Sequence, residues 1–224
     1  MKNLLYKYRH SWILSYFLIY IPWFLLLEKH VVTDYTLVTI NLDKYIPFNE
    51  LFVIPYFLWF AYIAATIAYF FFTSKTDYYK CCAFLFIGMT ICLLIYTVWP
   101  NGQNLRPTSF ERDNILVDIC KNLYASDTST NVCPSIHVFN SIGAHIAISN
   151  SERLKKNKLI VGGSFILALL ISLSTVFLKQ HSIFDGICSI VLSILLYFIV
   201  YKVDYSKLLQ YYKERKEIRA NFRI

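Results

Sequence analysis

Charged residues are scarce in this sequence: Asp, Glu, Lys and Arg together make up 16% of its 224 residues. A soluble globular domain carries about 25% charge, so this scarcity argues against a soluble fold. Hydrophobic residues account for 57% of the chain, and its mean hydropathy is +0.47. Such a composition is typical of a polytopic membrane protein.

Repeats, low-complexity segments and Cys-x-x-Cys pairs are also absent from the sequence. We therefore expect one integral membrane domain over residues 1–224. Four of the six cysteines lie in or beside apolar runs, where cysteine acts as a packing residue. The other two, Cys120 and Cys133, flank the polar stretch before Pro134. They are candidates for a disulfide if that loop is extracytoplasmic, and their spacing leaves the pairing open.

Six apolar runs predict six transmembrane helices in an all-α fold, and the fourth run is short. The runs cover approximately residues 12–27, 51–73, 81–99, 134–149, 159–177 and 182–203. With the amino terminus in the cytoplasm, the inner segments hold sixteen of the 22 Lys and Arg residues. This bias follows the positive-inside rule and predicts that both termini are cytoplasmic.

The net charge of +8 then has a topological cause and needs no nucleic-acid partner. The basic tail, about residues 204–224, is expected to be a solvated or lipid-facing cytoplasmic segment. The same topology places three polar groups of residues at the outer membrane face. They are Arg106 with Pro107, Ser135 with His137, and the set Ser174, Lys179, His181 and Asp185.

These residue types fit phosphoryl transfer. At helical spacing His181 and Asp185 are in contact range, and a carboxylate on one imidazole nitrogen makes the other a better nucleophile. Arg106 and Lys179 are candidates to hold phosphate oxygens. An interfacial histidine capped by an aspartate is the alternative interpretation of the pair, although ionisable residues at membrane depth favour a functional one.

The stretch Cys133-Pro134-Ser135-Ile136-His137 opens the short fourth run. Proline suits a first helical position, and serine can satisfy free backbone donors at a helix start. Because such a start attracts anions, His137 is placed to protonate a leaving oxygen beside a bound phosphate.

In these motifs the chain resembles the type 2 phosphatidic acid phosphatase superfamily of integral membrane lipid phosphatases. The family pattern is Lys-x6-Arg-Pro, then Pro-Ser-Gly-His, then Ser-Arg-x5-His-x3-Asp. This sequence supplies Arg106-Pro107, Pro134-Ser135-Ile136-His137, and Ser174-Thr175 with His181 and Asp185 at the matching offsets.

The resemblance implies a six-helix bundle with its motif region at residues 99–185. It implies that His181 is the nucleophile, that Asp185 orients it and that His137 is the acid. Phosphate binding falls to Arg106, Ser135 and Ser174. Neither a metal nor a cofactor is expected.

Three positions depart from the family pattern: Trp99 replaces the lysine, Ile136 the glycine and Thr175 the arginine. Lys179 is a candidate replacement for one missing cation. The looser pattern is similar to the branch that includes inositol phosphorylceramide and sphingomyelin synthases, which pass a head group to a lipid alcohol.

The leading expectation is a metal-independent lipid phosphate phosphatase in the cell membrane, with its site facing the extracytoplasmic side. Phosphatidic acid and prenyl phosphates or pyrophosphates are the expected substrates. The alternatives are a head-group phosphotransferase, a non-enzymatic transporter or scaffold with a buried ion network, and metal catalysis. For the last, His137, His181 and Asp185 supply two histidines and a carboxylate.

Overall fold

A computed structural model describes residues 8–30, 33–204, 210, 211 and 215. This part of the chain is mostly helical. Its seven α-helices are α1 (Phe17–His30), α2 (Val53–Thr73), α3 (Lys75–Val98), α4 (Ile115–Ser126), α5 (Ile136–Asn150), α6 (Lys158–Phe177) and α7 (Ile183–Tyr197). Shorter elements are 3-10 helices at Arg9–Tyr16, Asn41–Tyr45 and Glu50–Phe52, a π-helical turn at Phe198–Lys202, and the strands β1 (Thr36–Leu37) and β2 (Asn101–Gly102).

Five helical segments are long and apolar enough to cross a membrane, which confirms an all-α membrane protein. They are Arg9–His30, Glu50–Thr73, Lys75–Val98, Lys158–Phe177 and Ile183–Lys202. The remaining predicted span corresponds to α5, which has 15 residues and a length of about 22 Å. The count of six spans and the cytoplasmic termini stay predictions. The basic tail at 204–224 lies largely outside the described residues.

Helix α5 is the centre of the bundle, in contact with α2, α3, α6 and α7. Its crossing with α3 is close because both helices carry a glycine there. A Cβ on Gly88 would lie 1.9 Å from the Phe139 ring, and one on Gly143 would lie 2.7 Å from the Phe84 ring. The two phenylalanine rings stack between these positions, with centroids 5.1 Å apart. Small residues at such a crossing let helices pack closely in a membrane.

Side-chain caps set where the helices that carry the motifs begin. Ser135 is the N-cap of α5, and Ser182 is the N-cap of α7 in a capping box with Asp185. Pro134 therefore precedes the cap and does not occupy the first helical position expected from the sequence. The Cys133-Pro134 peptide bond is cis.

The polar segments between the helices meet in a small parallel sheet, where Thr36 of β1 pairs with Asn101 of β2. It joins the segment after α1 to the segment after α3. Cys120 and Cys133 are both free and lie in separate apolar clusters, so the structure contains no disulfide between them.

Candidate active site

A cavity of about 900 Å³ lies between α1, α2 and α3 and reaches the start of α5. Its polar end is lined by residues such as His137, His181, Gln180 and Asn140. The rest is an apolar arm along α2, from Tyr56 to Phe72. The two histidines predicted to react, His137 and His181, therefore line the same cavity, although they are 44 residues apart in the chain.

His181 lies in the connection between α6 and α7, with 8% of its surface exposed. Its Nδ1 is 3.0 Å from the carbonyl oxygen of Val132 and 3.2 Å from Oδ2 of Asp185. Both partners are acceptors, so Nδ1 carries the proton and Nε2 keeps its lone pair. This geometry suits a nucleophile whose reactive nitrogen is Nε2.

Asp185 is fully buried behind His181. Its Oδ2 also accepts the backbone N–H of Ser182 at 3.0 Å, while Oδ1 has no partner among the described residues. Because the carboxylate closes the capping box of α7, the helix start and the imidazole are oriented together.

A buried asparagine in β2 positions the other acceptor of His181. Asn101 Oδ1 accepts the backbone N–H groups of Val132 and Cys133 at 3.0 and 2.8 Å. Its Nδ2 donates to the carbonyls of Trp99 and Cys133. The Val132 carbonyl is thereby held against the imidazole. The sequence contained no motif that singled out this residue.

Asp43 is a second anchor that the sequence did not reveal, since it lies in a mixed polar stretch far from the motifs. The side chain is fully buried. Its carboxylate accepts the Ser182 hydroxyl at 2.7 Å and the Ile183 N–H at 2.9 Å. A carboxylate at a helix amino terminus is stabilised by the helix dipole. Asp43 thus fixes the start of α7 next to His181.

His137 is held differently, by aromatic rings: it stacks on Tyr56 and lies tilted against Trp59. Its ring centroid lies 4.6 Å from that of Tyr56, 4.4 Å from that of Trp59 and 5.8 Å from that of His181. Within the described residues no hydrogen bond to its ring nitrogens is found. Both nitrogens therefore remain available to exchange protons with a ligand in the cavity.

Arg106 lies behind the cavity wall and does not line it. Its Nη1 donates to the carbonyls of Tyr124 and Asp127, and its Nη2 donates to the Thr128 carbonyl and to Gln180 Oε1 at 2.6 Å. Burial lowers the pKa of this guanidinium. The arginine therefore braces three residues that line the cavity, Asp127, Thr128 and Gln180, without lining it itself, which differs from the expected direct contact with phosphate.

Lys179 points away from the histidines. Its backbone is left-handed, with φ of 54°, and its Nζ donates to the Asp43 carbonyl at 2.8 Å. It lines a separate cavity of about 590 Å³. Burial lowers the pKa of its amine. In this position it does not replace either missing cation of the family pattern, contrary to expectation.

The two motif serines use their hydroxyls within the fold. Ser135 Oγ accepts the Val138 N–H at 3.4 Å, and the Ser135 N–H donates to the Asp185 carbonyl. Ser174 Oγ donates to the Ile171 carbonyl at 2.6 Å, and Ser174 does not line the cavity. Ser135 thus holds the start of α5 next to α7, whereas the Ser174 hydroxyl is bonded within α6.

Several polar residues that line the cavity belong to none of the family motifs. From the sequence, Asp127 and Asn131 are expected only to brace the loop before α5, and Glu28, Asn140 and Gln180 are not singled out. Buried side-chain atoms without a partner among the described residues include Asn131 Oδ1, Asn140 Oδ1 and Gln180 Nε2. Two carboxylates, Glu28 and Asp127, lie at the same end of the cavity. Burial and the nearby Glu28 raise the pKa of Asp127 to about 6.

Comparison with known proteins gives one match. A family model described as the PAP2 superfamily matches residues 97–208, which is half of the chain. The matched segment contains every motif residue described above. Searches of curated proteins and of solved structures found no significant match.

Proposed function

Because the chain belongs to the PAP2 superfamily, we propose that it cleaves a phosphate ester of a membrane lipid through a phosphohistidine on His181. Members of this superfamily are generally phosphatase-type enzymes. The observation that carries the proposal is the pair of acceptors on Nδ1 of His181, which leaves Nε2 free beside the cavity.

The shape of the cavity supports a lipid substrate. Its apolar arm runs along α2 from Tyr56 to Phe72, a rise of about 24 Å, which is comparable to most of a hydrocarbon core about 30 Å thick. The arm ends at the two histidines. An amphiphile can place its hydrocarbon tail along α2 and its phosphate beside His181.

The reaction then has two steps. Nε2 of His181 attacks phosphorus, the bond from phosphorus to the leaving oxygen breaks, and His137 gives that oxygen a proton. The first turn of α5, with its unpaired N–H groups, stabilises the added charge. In the second step water attacks the phosphohistidine, His137 takes the proton of that water, and His181 is regenerated.

Hydrolysis of a lipid phosphomonoester or pyrophosphate, such as phosphatidic acid or a prenyl phosphate, is the first reaction to assay. The second candidate is transfer of a phospholipid head group to a lipid alcohol. One observation favours it: Arg106 and Lys179 both lie off the cavity, so a dianionic phosphate lacks the cations that would hold it. We place the site at the extracytoplasmic face of the cell membrane, as the loop charges predict.

The test uses purified protein in detergent with excess chelator and a panel of phospholipids and prenyl phosphates. Free phosphate and lipid products are measured in the same samples. We expect turnover that is lost in His181→Ala and retained in His145→Ala, since His145 lies farther along α5 and bonds Ser164. Turnover in folded His181→Ala protein would refute the phosphohistidine. The absence of any product from folded wild-type protein would favour a transporter or scaffold.

A further inference from the structure

The polar end of the cavity is acidic. Glu28, in the last turn of α1, and Asp127, just after α4, both line it. Glu28 Oε2 accepts the Thr128 hydroxyl at 2.6 Å, and Oε1 lies 3.5 Å from Asn131 Nδ2. The Glu28 carboxylate therefore joins α1 to the loop that precedes α5, while the Asp127 carboxylate makes no hydrogen bond among the described residues.

At this end of the cavity the described carboxylates outnumber the described cations. Among the described residues that line it, none is Lys or Arg. Arg106 lies behind the wall, where three backbone carbonyls and Gln180 take its Nη donors and its Nε has no partner among the described residues. Its single positive charge offsets part of the charge of Glu28 and Asp127. A phosphomonoester with two negative charges would meet two carboxylates at close range, which is unfavourable.

Unpartnered polar atoms at the same end point independently to a ligand. Asn140 is 1% exposed, Gln180 is 3% exposed and Asn131 is 6% exposed, and all three line the cavity. Asn140 Oδ1, Gln180 Nε2 and Asn131 Oδ1 have no partner in the described structure. Because buried polar groups are normally paired, these atoms mark where ligand donors and acceptors would bind.

We propose that Glu28 and Asp127 select a phosphodiester lipid whose outer alcohol carries a positively charged amine, which deepens the proposed function and rests on it. A diester phosphate has one negative charge, and its amine would lie between the two carboxylates. The Asn131 oxygen is then an acceptor for an ammonium N–H.

The covalent step stays balanced for such a substrate. Nε2 of His181 bonds to phosphorus, the bond from phosphorus to the oxygen of the lipid alcohol breaks, and His137 protonates that oxygen. The lipid alcohol leaves along the apolar arm. The phosphate and its amine alcohol stay on His181 until water or another alcohol attacks phosphorus.

Three lipids with identical tails separate the possibilities: phosphatidic acid, phosphatidylglycerol and phosphatidylethanolamine. The first is a monoester, the second a diester without an amine, and the third a diester with one. We expect wild-type protein in detergent to cleave phosphatidylethanolamine with the highest kcat/KM. In Asp127→Asn this preference over phosphatidylglycerol should fall about tenfold, because one of two charges facing the amine is removed.

Two variants complete the design. Glu28→Gln should lower the same preference, and Asp118→Asn is the matched control, since Asp118 is exposed on α4 and pairs with Lys121. Glu28→Gln weakens the bond that joins α1 to the loop before α5, and this variant is uninformative if it does not fold. Asp127→Asn then still tests the selection of an amine. Within the part of the chain that the structure describes, the Asp127 carboxylate makes no hydrogen bond that would hold the fold together.

The outcomes also separate this inference from the proposed function. Preferred cleavage of phosphatidic acid, or equal cleavage of both diesters by wild type and Asp127→Asn, would overturn the selection of an amine and leave the phosphohistidine standing. No cleavage of any of the three lipids by folded wild-type protein would overturn the selection together with the proposed function.

Discussion

The two halves of the site are built in different ways. The half inside the segment matched by the family model contributes His181, Asp185 and Asn101, which are joined by buried hydrogen bonds. The half formed by α1 and α2 lies outside that segment and contributes mostly apolar and aromatic surface. The first half fixes the orientation of reacting atoms, and the second shapes the space for a substrate.

From this difference we predict which substitutions should change the rate for every substrate and which should change the selectivity among substrates. Hydrogen bonds hold the His181 ring in one tautomer, and their loss should lower the rate for every substrate. In the proposed function the apolar half contacts the hydrocarbon part of the substrate, which does not react. Changes there should alter the choice among substrates. Three residues that precede the matched segment are exceptions. Asp43 anchors α7, and Tyr56 and Trp59 of α2 hold the His137 ring.

The largest expected effect comes from the two histidines. His181→Ala should lower turnover by at least about 10⁴-fold for every substrate, because no other group forms the covalent bond. His137→Ala should cost about 10²- to 10⁴-fold through loss of the acid. An activated aryl phosphate ester, whose leaving group needs no proton, should recover most of the loss in His137→Ala and none in His181→Ala. Equal recovery in both variants would contradict the assigned roles.

A smaller effect is expected from the asparagine that holds the Val132 carbonyl. Asn101→Ala should lower kcat by about a hundredfold with little change in KM, since the imidazole loses one fixed partner but the cavity stays open. Asn150→Ala is the control, because its amide bonds the Ile146 carbonyl at the far end of α5. An unchanged kcat in folded Asn101→Ala would show that Asp185 alone orients His181.

A substitution that narrows the apolar arm of the cavity tests whether the lipid tail lies there. Ala64 lines the cavity, whereas its neighbour Ala65 does not. Ala64→Phe should lower the ratio of kcat/KM for a long-tailed substrate to kcat/KM for a short-tailed one about tenfold. The added ring would displace about two methylenes of the long tail from the cavity, and each buried methylene contributes roughly 0.8 kcal/mol. Ala65→Phe should leave the ratio unchanged. If both variants shift the ratio alike, the tail lies elsewhere.

The smallest expected effect concerns stability at Asp127, where the two halves meet. Its pKa in the folded protein is raised to about 6, so between the unfolded value near 4 and pH 6 the folded state binds more protons. Stability is therefore lost as the pH rises through that window. Asp127→Asn should be more stable than wild type by about 1–3 kcal/mol at pH 7.5 and by less at pH 4.5. Thermal unfolding at the two pH values measures this difference, and an equal gain at both would contradict the raised pKa.

Local spacing explains what could be predicted from the sequence. Helical periodicity alone places Asp185 in contact range of His181. Apolar length alone places the long helical segments within three residues of their observed ends, except that α3 begins six residues before the predicted start. The short fourth apolar run forms α5, and its polar residues lie at the centre of the bundle.

Partners remote in the chain explain what could not be predicted. Lys179 faces Asp43 because of one left-handed residue, and Arg106 faces a loop whose path depends on α4. Asn101 and Asp43 act on residues 31 and 140 positions away, respectively. No periodicity or motif in the sequence predicts these long-range contacts. They result from the way the polar segments fold over the helix ends.

The short length of α5 affects how water reaches the reacting histidines. The far end of this helix is tied to α3 through the bond from Ser151 to Asp77, and its length of about 22 Å falls about 8 Å short of a full hydrocarbon core. In the six-span topology predicted from the sequence, His137 lies below the level at which a full-length helix would end. We then expect the hydration at that depth to depend on how far the head group of the proposed lipid substrate fills the entrance. The balance between water and a lipid alcohol as the second reactant is then a property of the bound substrate as much as of the protein.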